Sequence, residues 1–152
     1  MNLKERFKVI NDELKRHFVQ IDNVIEDIEN WMPLSDKDFE DKIKISEIDS
    51  FIFRYSKIQD KIGTKFFPLV LEVLGEYDEQ LAFIDILNKL EKLGLIESAE
   101  VWFEYSELRN QLTHEYPNEI DDIKQELEKA VIYYDKIKNT YFKIAEKILH
   151  YL

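Results

Sequence analysis

The residues of this chain that are best suited to chemistry lie between Leu108 and Pro117, where an arginine, a histidine and a tyrosine fall within eight residues. Arg109 carries a permanent positive charge on a planar group that matches phosphate. His114 can take up and release a proton near neutral pH. Together these two residue types indicate chemistry on a phosphodiester.

A helix is predicted to position these residues. Upstream apolar residues repeat at steps of three and four, namely Val101, Tyr105, Leu108 and Leu112. Ser98 is a suitable N-cap for such a helix. Pro117 disfavours helical backbone at the residue before it. The helix should therefore run from about Ser98 to Glu115.

Within this helix, Asn110 and His114 are predicted to share one exposed stripe. At about 100° per residue, they lie roughly opposite the stripe of Tyr105 and Leu112, which should face the core. His114 is therefore not expected to be a core histidine.

A second stripe of the same helix holds Trp102 and Arg109, and Tyr116 would fall near it if the helix ran that far. The arginine and the phenol are therefore expected to meet one substrate. Because Arg109 and His114 both lie off the core stripe, replacing either with alanine is expected to leave the fold nearly intact.

This segment resembles the motif of the HEPN superfamily, whose small helical proteins carry an arginine, a polar residue, and a histidine four to six residues after the arginine. Arg109, Asn110 and His114 match that pattern. Tyr116, two residues after the histidine, makes the segment similar to the HepT-type toxins. These carry R-x4-H-x-Y and are encoded beside an MNT-type nucleotidyltransferase.

The resemblance implies roles for each of the four residues. His114 would be the acid or base, Arg109 the phosphate clamp, and Asn110 the residue that orients them. Tyr116 would contact substrate or be adenylylated by the nucleotidyltransferase antitoxin, which silences the toxin by blocking the cleft. The resemblance also implies a homodimer whose paired motifs face a shared cleft.

The chemistry of RNA agrees with this implication. RNA carries its own nucleophile, the 2'-hydroxyl, so cleavage needs a base, an acid and a cation for the charged phosphorane, with no metal or cofactor. One His114 supplies only one of the two proton-transfer groups, and His17 and His150 lie far away in sequence. A two-fold dimer would supply a second His114. We therefore expect a metal-independent endoribonuclease toxin.

Two other interpretations remain open. In the first, the chain is a non-catalytic HEPN subunit that binds nucleotide or presents substrate to a nucleotidyltransferase, and Arg109 and His114 contact phosphates. In the second, it is a helical interaction domain. Arg109 then pairs with a nearby glutamate such as Glu104, and His114 is a surface residue at a helix C-terminus, where a cation is favoured.

Composition narrows the class of protein. The 152 residues suit one domain spanning 1–152, and the absence of cysteine excludes disulfides and thiolate chemistry. A net charge of -11 argues against broad nucleic-acid binding, so any RNA site must be local. No apolar run has the length of a membrane span, and we expect a cytoplasmic protein without membrane contact.

The periodicity of apolar residues predicts an all-α fold. One long amphipathic helix should cover Phe7 to Met32, and a second should begin at Ser35, whose spacing to Asp38 is typical of a capping arrangement. These two helices should pack antiparallel. A last long helix should begin at Asn118 as N-cap.

Shorter elements are predicted between the long ones. Gly63 and Pro68 should interrupt the helical periodicity of the apolar residues, and a short apolar helix that ends near Gly75 should follow. Another short helix, Leu81 to Leu93, should end in a left-handed cap at Gly94. The predicted fold is an up-and-down helical bundle with two long and several shorter helices.

Two further features lie outside the motif. Lys57, Lys61 and Lys65 form a row at four-residue steps that either touches an RNA backbone near Arg54 or is only a solvated face. His17 is interpreted as a boundary histidine without chemistry.

Overall fold

The computed structural model describes residues 1–115 and 120–152, which form α-helices, short helical turns and connecting loops, with no β-strand in either range. The α-helices in chain order are α1 (Leu3–Trp31), α2 (Lys42–Lys61), α3 (Phe67–Val73), α4 (Phe83–Lys92), α5 (Ala99–Glu115) and α6 (Ile120–Leu149). The predicted all-α helical bundle is confirmed, and α1 and α6 are its two longest helices, with 29 and 30 residues.

Helices α1 and α2 run antiparallel, as predicted. Lys44, near the start of α2, lies over the ring of Trp31 at the end of α1, with the ammonium 5.3 Å from the ring centroid. At the other end, Lys61 forms an ion pair with Glu13. Between these two contacts, apolar side chains of α1 and α2 pack against each other and form part of the core.

Helix α6 also runs antiparallel to α1. The Lys138 ammonium lies 2.7 Å from a carboxylate oxygen of Asp22, and the Tyr141 hydroxyl donates to Asn11 over 2.5 Å. Helix α5 contacts both α2 and α6. The four helices α1, α2, α5 and α6 thus form a ring, and the short helices α3 and α4 connect α2 to α5.

The apolar stripes predicted for the long helices lie in the core. In α1 the buried members of the stripe are Phe7, Ile10, Leu14, Phe18, Ile21 and Ile28. In α6 they include Ile123, Leu127, Tyr134, Ile137, Tyr141, Ile144 and Ile148. Because each helix buries one stripe and solvates the opposite face, the periodicity of the sequence was enough to assign these faces.

The predicted start of the second helix at Ser35 is wrong. Asp38 does accept hydrogen bonds from the backbone N–H of Ser35, over 2.8 Å, and from its hydroxyl. This box caps a 3-10 turn, Asp36–Glu40, and α2 begins only after Asp41, whose carboxylate accepts from the next backbone N–H groups. A capping pair marks the start of a helical segment but does not fix the length of that segment.

Gly63 does not break the helix, contrary to the prediction. Helix α2 continues into a π-turn, Ile62–Phe66, which leads directly into α3. Gly63 is buried there, and a Cβ atom at this position would lie only 3.2 Å from the Phe83 ring. The π-turn ends at Phe66, two residues before Pro68, which has no N–H to continue a regular ladder. This glycine permits close packing rather than a change of direction.

The other predicted boundaries are close to the observed ones: α1 begins at Leu3 rather than Phe7, and α4, Phe83–Lys92, lies within the predicted range Leu81 to Leu93. Gly94 follows α4 in the left-handed conformation, with φ 74°, as predicted. Gly75, after α3, is also left-handed, with φ 73°. Asn118, the predicted N-cap of the last helix, lies outside the described residues. In the described ranges, no helix combines the length and apolar character needed to cross a bilayer.

Candidate functional site

Helix α5 positions the predicted site residues, and its start agrees with the prediction. The backbone N–H of Val101 donates to the Ser98 hydroxyl over 3.2 Å, as expected of an N-cap. The core side of the described part of the helix is formed by five buried side chains, namely Ala99, Trp102, Tyr105, Leu108 and Leu112. This buried face determines where the remaining side chains of α5 point.

Trp102 belongs to the core and not to a substrate-facing stripe. Its side chain is only 2% exposed. The ring packs against Phe67 of α3 with centroids 4.8 Å apart, and against Tyr105 with centroids 5.3 Å apart. The stripe that Trp102 shares with Arg109 is therefore the side of α5 that faces α2 and α3.

Arg109 is bound to neighbouring side chains through every guanidinium nitrogen. Nε donates to the hydroxyl of Ser56 over 2.9 Å, and one terminal nitrogen donates to Asp60 over 2.8 Å. The other terminal nitrogen donates to the Asn110 side chain over 2.9 Å. Since Ser56 and Asp60 lie on α2, the arginine joins α5 to α2.

These contacts change two expectations about Arg109. Its acidic partner is Asp60 and not Glu104, because Glu104 lies five residues earlier on α5 and points about 140° away from Arg109. The second expectation was that alanine at this position leaves the fold nearly intact, but Arg109 takes part in the contact between α5 and α2. Replacing it with alanine therefore removes packing and three hydrogen bonds, and such a variant tests stability as well as function.

Asn110 and His114 are both exposed, as their shared stripe predicted. His114 lies one helical turn beyond Asn110, and Asn110 accepts the hydrogen bond from Arg109. A continuous polar strip therefore runs from the guanidinium through the amide to the imidazole. Tyr116, the fourth predicted site residue, lies outside the described residues.

Sequence reasoning missed Ser56 and Asp60. They are four residues apart on α2, so they share a face of that helix. That spacing marks a polar stripe, but no pattern in α2 indicates that Arg109 would be its partner. The contact forms only when α2 and α5 pack together, so it cannot be identified from the sequence of either helix.

Buried tyrosines near this contact are structural. The Tyr55 hydroxyl donates to the backbone carbonyl of Tyr105 over 3.2 Å, and burial raises the pKa of Tyr55 far above its ordinary value. Burial also raises the pKa of Tyr105, with Tyr133 adding to the effect. Both phenols therefore stay protonated at neutral pH and cannot serve as bases.

A phosphate that binds Arg109 must share or displace the carboxylate of Asp60. The arginine side chain is 27% exposed and that of Asp60 is 50% exposed, so solvent reaches the pair. An exposed ion pair of this kind contributes little stability. The guanidinium is therefore held in place yet remains open to an anion of higher charge.

If Arg109 binds RNA phosphate, Asp60→Asn is expected to strengthen that binding by about twofold to fivefold, the value of an exposed ion pair. The substitution removes the negative charge that is paired with Arg109. The free energy of unfolding should fall by less than about 1 kcal/mol. The measurement is fluorescence anisotropy with labelled RNA in a His114→Ala background, which lacks the exposed imidazole.

Asp36→Asn is the matched control for this variant. Asp36 forms an ion pair with Lys124 elsewhere in the bundle, over 2.7 Å. Asp36→Asn changes the net charge by the same amount as Asp60→Asn. If Asp60→Asn weakened RNA binding while the control did not, Asp60 would be positioning Arg109 for phosphate rather than competing with it.

No metal ligand set accompanies the site. Among residues 1–115 and 120–152, no three histidine, aspartate or glutamate side chains are grouped so that they could hold a metal ion. The chemistry that the described side chains offer consists of a fixed cation, an amide and an exposed imidazole.

The fold and the polar strip define a class: an all-α helical bundle that presents arginine, asparagine and histidine at the C-terminal end of one helix. No protein-family model, curated protein or solved structure matches this chain.

Proposed function

We propose that the protein is a HEPN-type, metal-independent endoribonuclease, similar to the HepT-type toxins of toxin-antitoxin systems. The observation that carries this proposal is the polar strip of α5. It combines an exposed His114 with a guanidinium that is held in place by Ser56 and Asp60. Metal-free cleavage of RNA needs a base, an acid and a positioned cation, and one polar strip supplies the cation and one of the two proton-transfer groups.

In the proposed reaction, one His114 removes the proton from a ribose 2'-hydroxyl. The 2'-oxygen attacks the adjacent phosphorus, and the bond from phosphorus to the 5'-oxygen breaks. A second, protonated imidazole gives its proton to the leaving 5'-oxygen. The products are a 2',3'-cyclic phosphate and a 5'-hydroxyl. Arg109 stabilises the charge on the phosphorane, and Asn110 orients the arginine through its hydrogen bond.

The second imidazole requires a homodimer, because one subunit provides one His114. An exposed aromatic side chain supports such an assembly. Phe103 is 46% exposed and lies seven residues before Asn110, on the same stripe of α5 as His114. Burying this ring against a second copy would be favourable and would bring the two polar strips together.

The same proposal includes a regulatory partner. An MNT-type nucleotidyltransferase antitoxin would adenylylate Tyr116, two residues after His114 in sequence. The added phosphate would place a negative charge beside Arg109 and His114 and block access to RNA. A toxin acting on cellular RNA would work in the cytoplasm.

The test is to incubate purified protein with a mixed RNA pool in the presence of chelator and to identify the ends of the products. We expect fragments that carry 2',3'-cyclic phosphate and 5'-hydroxyl ends. Fragments with 3'-hydroxyl ends, or cleavage that stops when chelator is added, would contradict the proposed chemistry.

A second candidate is favoured by one observation: the polar strip of one subunit contains a single proton-transfer group, His114. Such a strip suits a non-catalytic HEPN subunit that holds nucleotide or presents substrate to a nucleotidyltransferase, with Arg109 and His114 contacting phosphates. This function predicts saturable ATP binding by calorimetry without any cleavage of RNA.

A further inference from the structure

A group of cations lies on the outer surface of α1 and α2, apart from the polar strip. Arg16 and His17 of α1 and Arg54 of α2 line a cleft of about 620 Å³. Lys57 lies one turn beyond Phe53, close enough to contribute to the potential at His17. We call Arg16, His17, Arg54 and Lys57 the basic cleft.

No ion pair joins the arginines or the lysine of the basic cleft to a described carboxylate, although Asp12 and Glu13 lie near enough to Arg16 for its charge to lower their pKa values. Within the described residues, no carboxylate lies at ion-pair distance from Arg16, Arg54 or Lys57. Glu13 also lines the cleft, but it is paired with Lys61. In a chain with net charge -11, this group of cations creates a local positive potential that favours anions.

The contact between His17 and Arg54 determines which imidazole nitrogen carries the proton. Nδ1 of His17 lies 3.1 Å from a terminal nitrogen of Arg54. Arginine can only donate, so Nδ1 accepts, and the proton of the neutral ring is on Nε2. Burial lowers the pKa of His17, Arg54, Lys61 and Lys57 lower it further, and Glu13 opposes them without reversing the direction. At neutral pH the ring is therefore a hydrogen-bond donor without charge.

An exposed aromatic ring lies beside these cations. Phe53 is 51% exposed, and Arg54 and Lys57 lie over it at 5.3 and 5.4 Å from the ring centroid. On α2, the next turn holds Ser56, which binds Arg109. The ring therefore stands between the basic cleft and the polar strip of α5.

We propose that the basic cleft and Phe53 form a binding track for single-stranded RNA, along which the strand reaches Arg109 and His114. The cations hold consecutive phosphates, and Phe53 stacks on a base. A basic groove flanked by an exposed aromatic ring is the usual arrangement for binding single strands. This inference rests on the proposed function, because it assigns RNA as the substrate.

The row of lysines predicted from sequence is not this track. The π-turn at Ile62–Phe66 shifts the register after Lys61, and Lys61 and Lys65 line a different cleft, with Arg6 and Glu72. Of that row, only Lys57 remains beside Arg54. The track instead crosses from α2 to α1, where Arg16 and His17 complete it.

The test compares two triple variants in the His114→Ala background. One removes the track cations, Arg16→Gln, Arg54→Gln and Lys57→Gln. The control removes three exposed lysines of α6 that change net charge equally, namely Lys136→Gln, Lys143→Gln and Lys147→Gln. Binding of a labelled oligouridine of about 12 nucleotides is measured by anisotropy over a range of salt concentrations.

The track variant is expected to bind about tenfold or more weakly at low salt, and the slope of log Kd against log salt should decrease by about 2. The control should bind like the parent. Phe53→Ala, which removes a half-exposed ring and leaves the core intact, should weaken binding about fivefold or more. Phe53→Trp should restore binding, and a duplex RNA of equal length should bind more weakly than the single strand.

The outcomes separate this inference from the proposed ribonuclease. Equal losses in the track and control variants, or no loss in either, would overturn the track even if the wild-type protein cleaves RNA. Binding that depends on the track, in a protein that does not cleave, would retain the track and reject the ribonuclease. Equal affinity for duplex and single strand would overturn the stacking role of Phe53.

Discussion

His114→Ala is expected to abolish RNA cleavage while leaving the unfolding temperature unchanged. A positioned acid or base contributes about 10² to 10⁴-fold to a reaction rate, and both proton transfers of the proposed dimer would lose their group. His114 is exposed and makes no hydrogen bond or ion pair with another described residue. The measurement is the initial rate of cleavage of a labelled RNA, together with a thermal unfolding curve.

His150→Ala is the matched control for this prediction. His150 is also exposed and also lies at the C-terminal end of a long helix, but it is far from the polar strip in the fold. Its removal should change neither rate nor stability. Equal activity of the two variants would exclude His114 from catalysis, and the non-catalytic nucleotide-binding function would then be preferred.

Arg109→Ala is a weaker test than His114→Ala because it changes the fold as well. The substitution leaves Ser56 and Asp60 without their partner across the α2 and α5 contact. Loss of activity in this variant must therefore be compared with loss of stability. Arg109→Lys keeps the charge but not the fork of donors, so it reports on the phosphate contact more directly.

The second large effect is expected for Trp102→Ala, which should lower the free energy of unfolding by about 3 to 5 kcal/mol. The indole packs against Phe67 and Tyr105, and Tyr105 packs in turn on Tyr133 of α6 with centroids 4.7 Å apart. Removing the ring leaves a cavity where α3, α5 and α6 meet. The unfolding temperature should fall on the order of 10 °C, measured by circular dichroism.

Trp102→Phe is the control, because it keeps an aromatic ring in the same space. The indole Nε1 has no hydrogen-bond partner among the described residues, so phenylalanine loses no bond and should cost much less than alanine. Activity of the alanine variant should follow its folded fraction. A well-folded Trp102→Phe protein without activity would mean that the indole acts in the site and not only in the core.

Much of the fold was predictable from the sequence because helices bury a periodic stripe. The faces of α1 and α6, the N-cap at Ser98 and the left-handed glycine at Gly94 all depend on residues close together in the chain. The exposure of Asn110 and His114 followed from the same periodicity. These features are local, and local patterns specify them.

Features that depend on distant partners were not predictable in this way. Periodicity identifies which face of a helix is buried but not which helix covers it. The structure alone shows that Asp60, 49 positions earlier in the chain, binds Arg109. Likewise, the sequence predicts a helix break at Gly63, and only the packing of Phe83 against it shows that this glycine permits close packing.

The all-α class and the placement of arginine, asparagine and histidine at the end of one helix could be read from residues close together in the chain. The contact of the guanidinium with α2, and the meeting of Arg16 and Arg54 on one surface, are visible only in the folded chain. Helix formation and capping depend on neighbours within a few residues. Ion pairs and clefts between helices arise only when separate helices pack together.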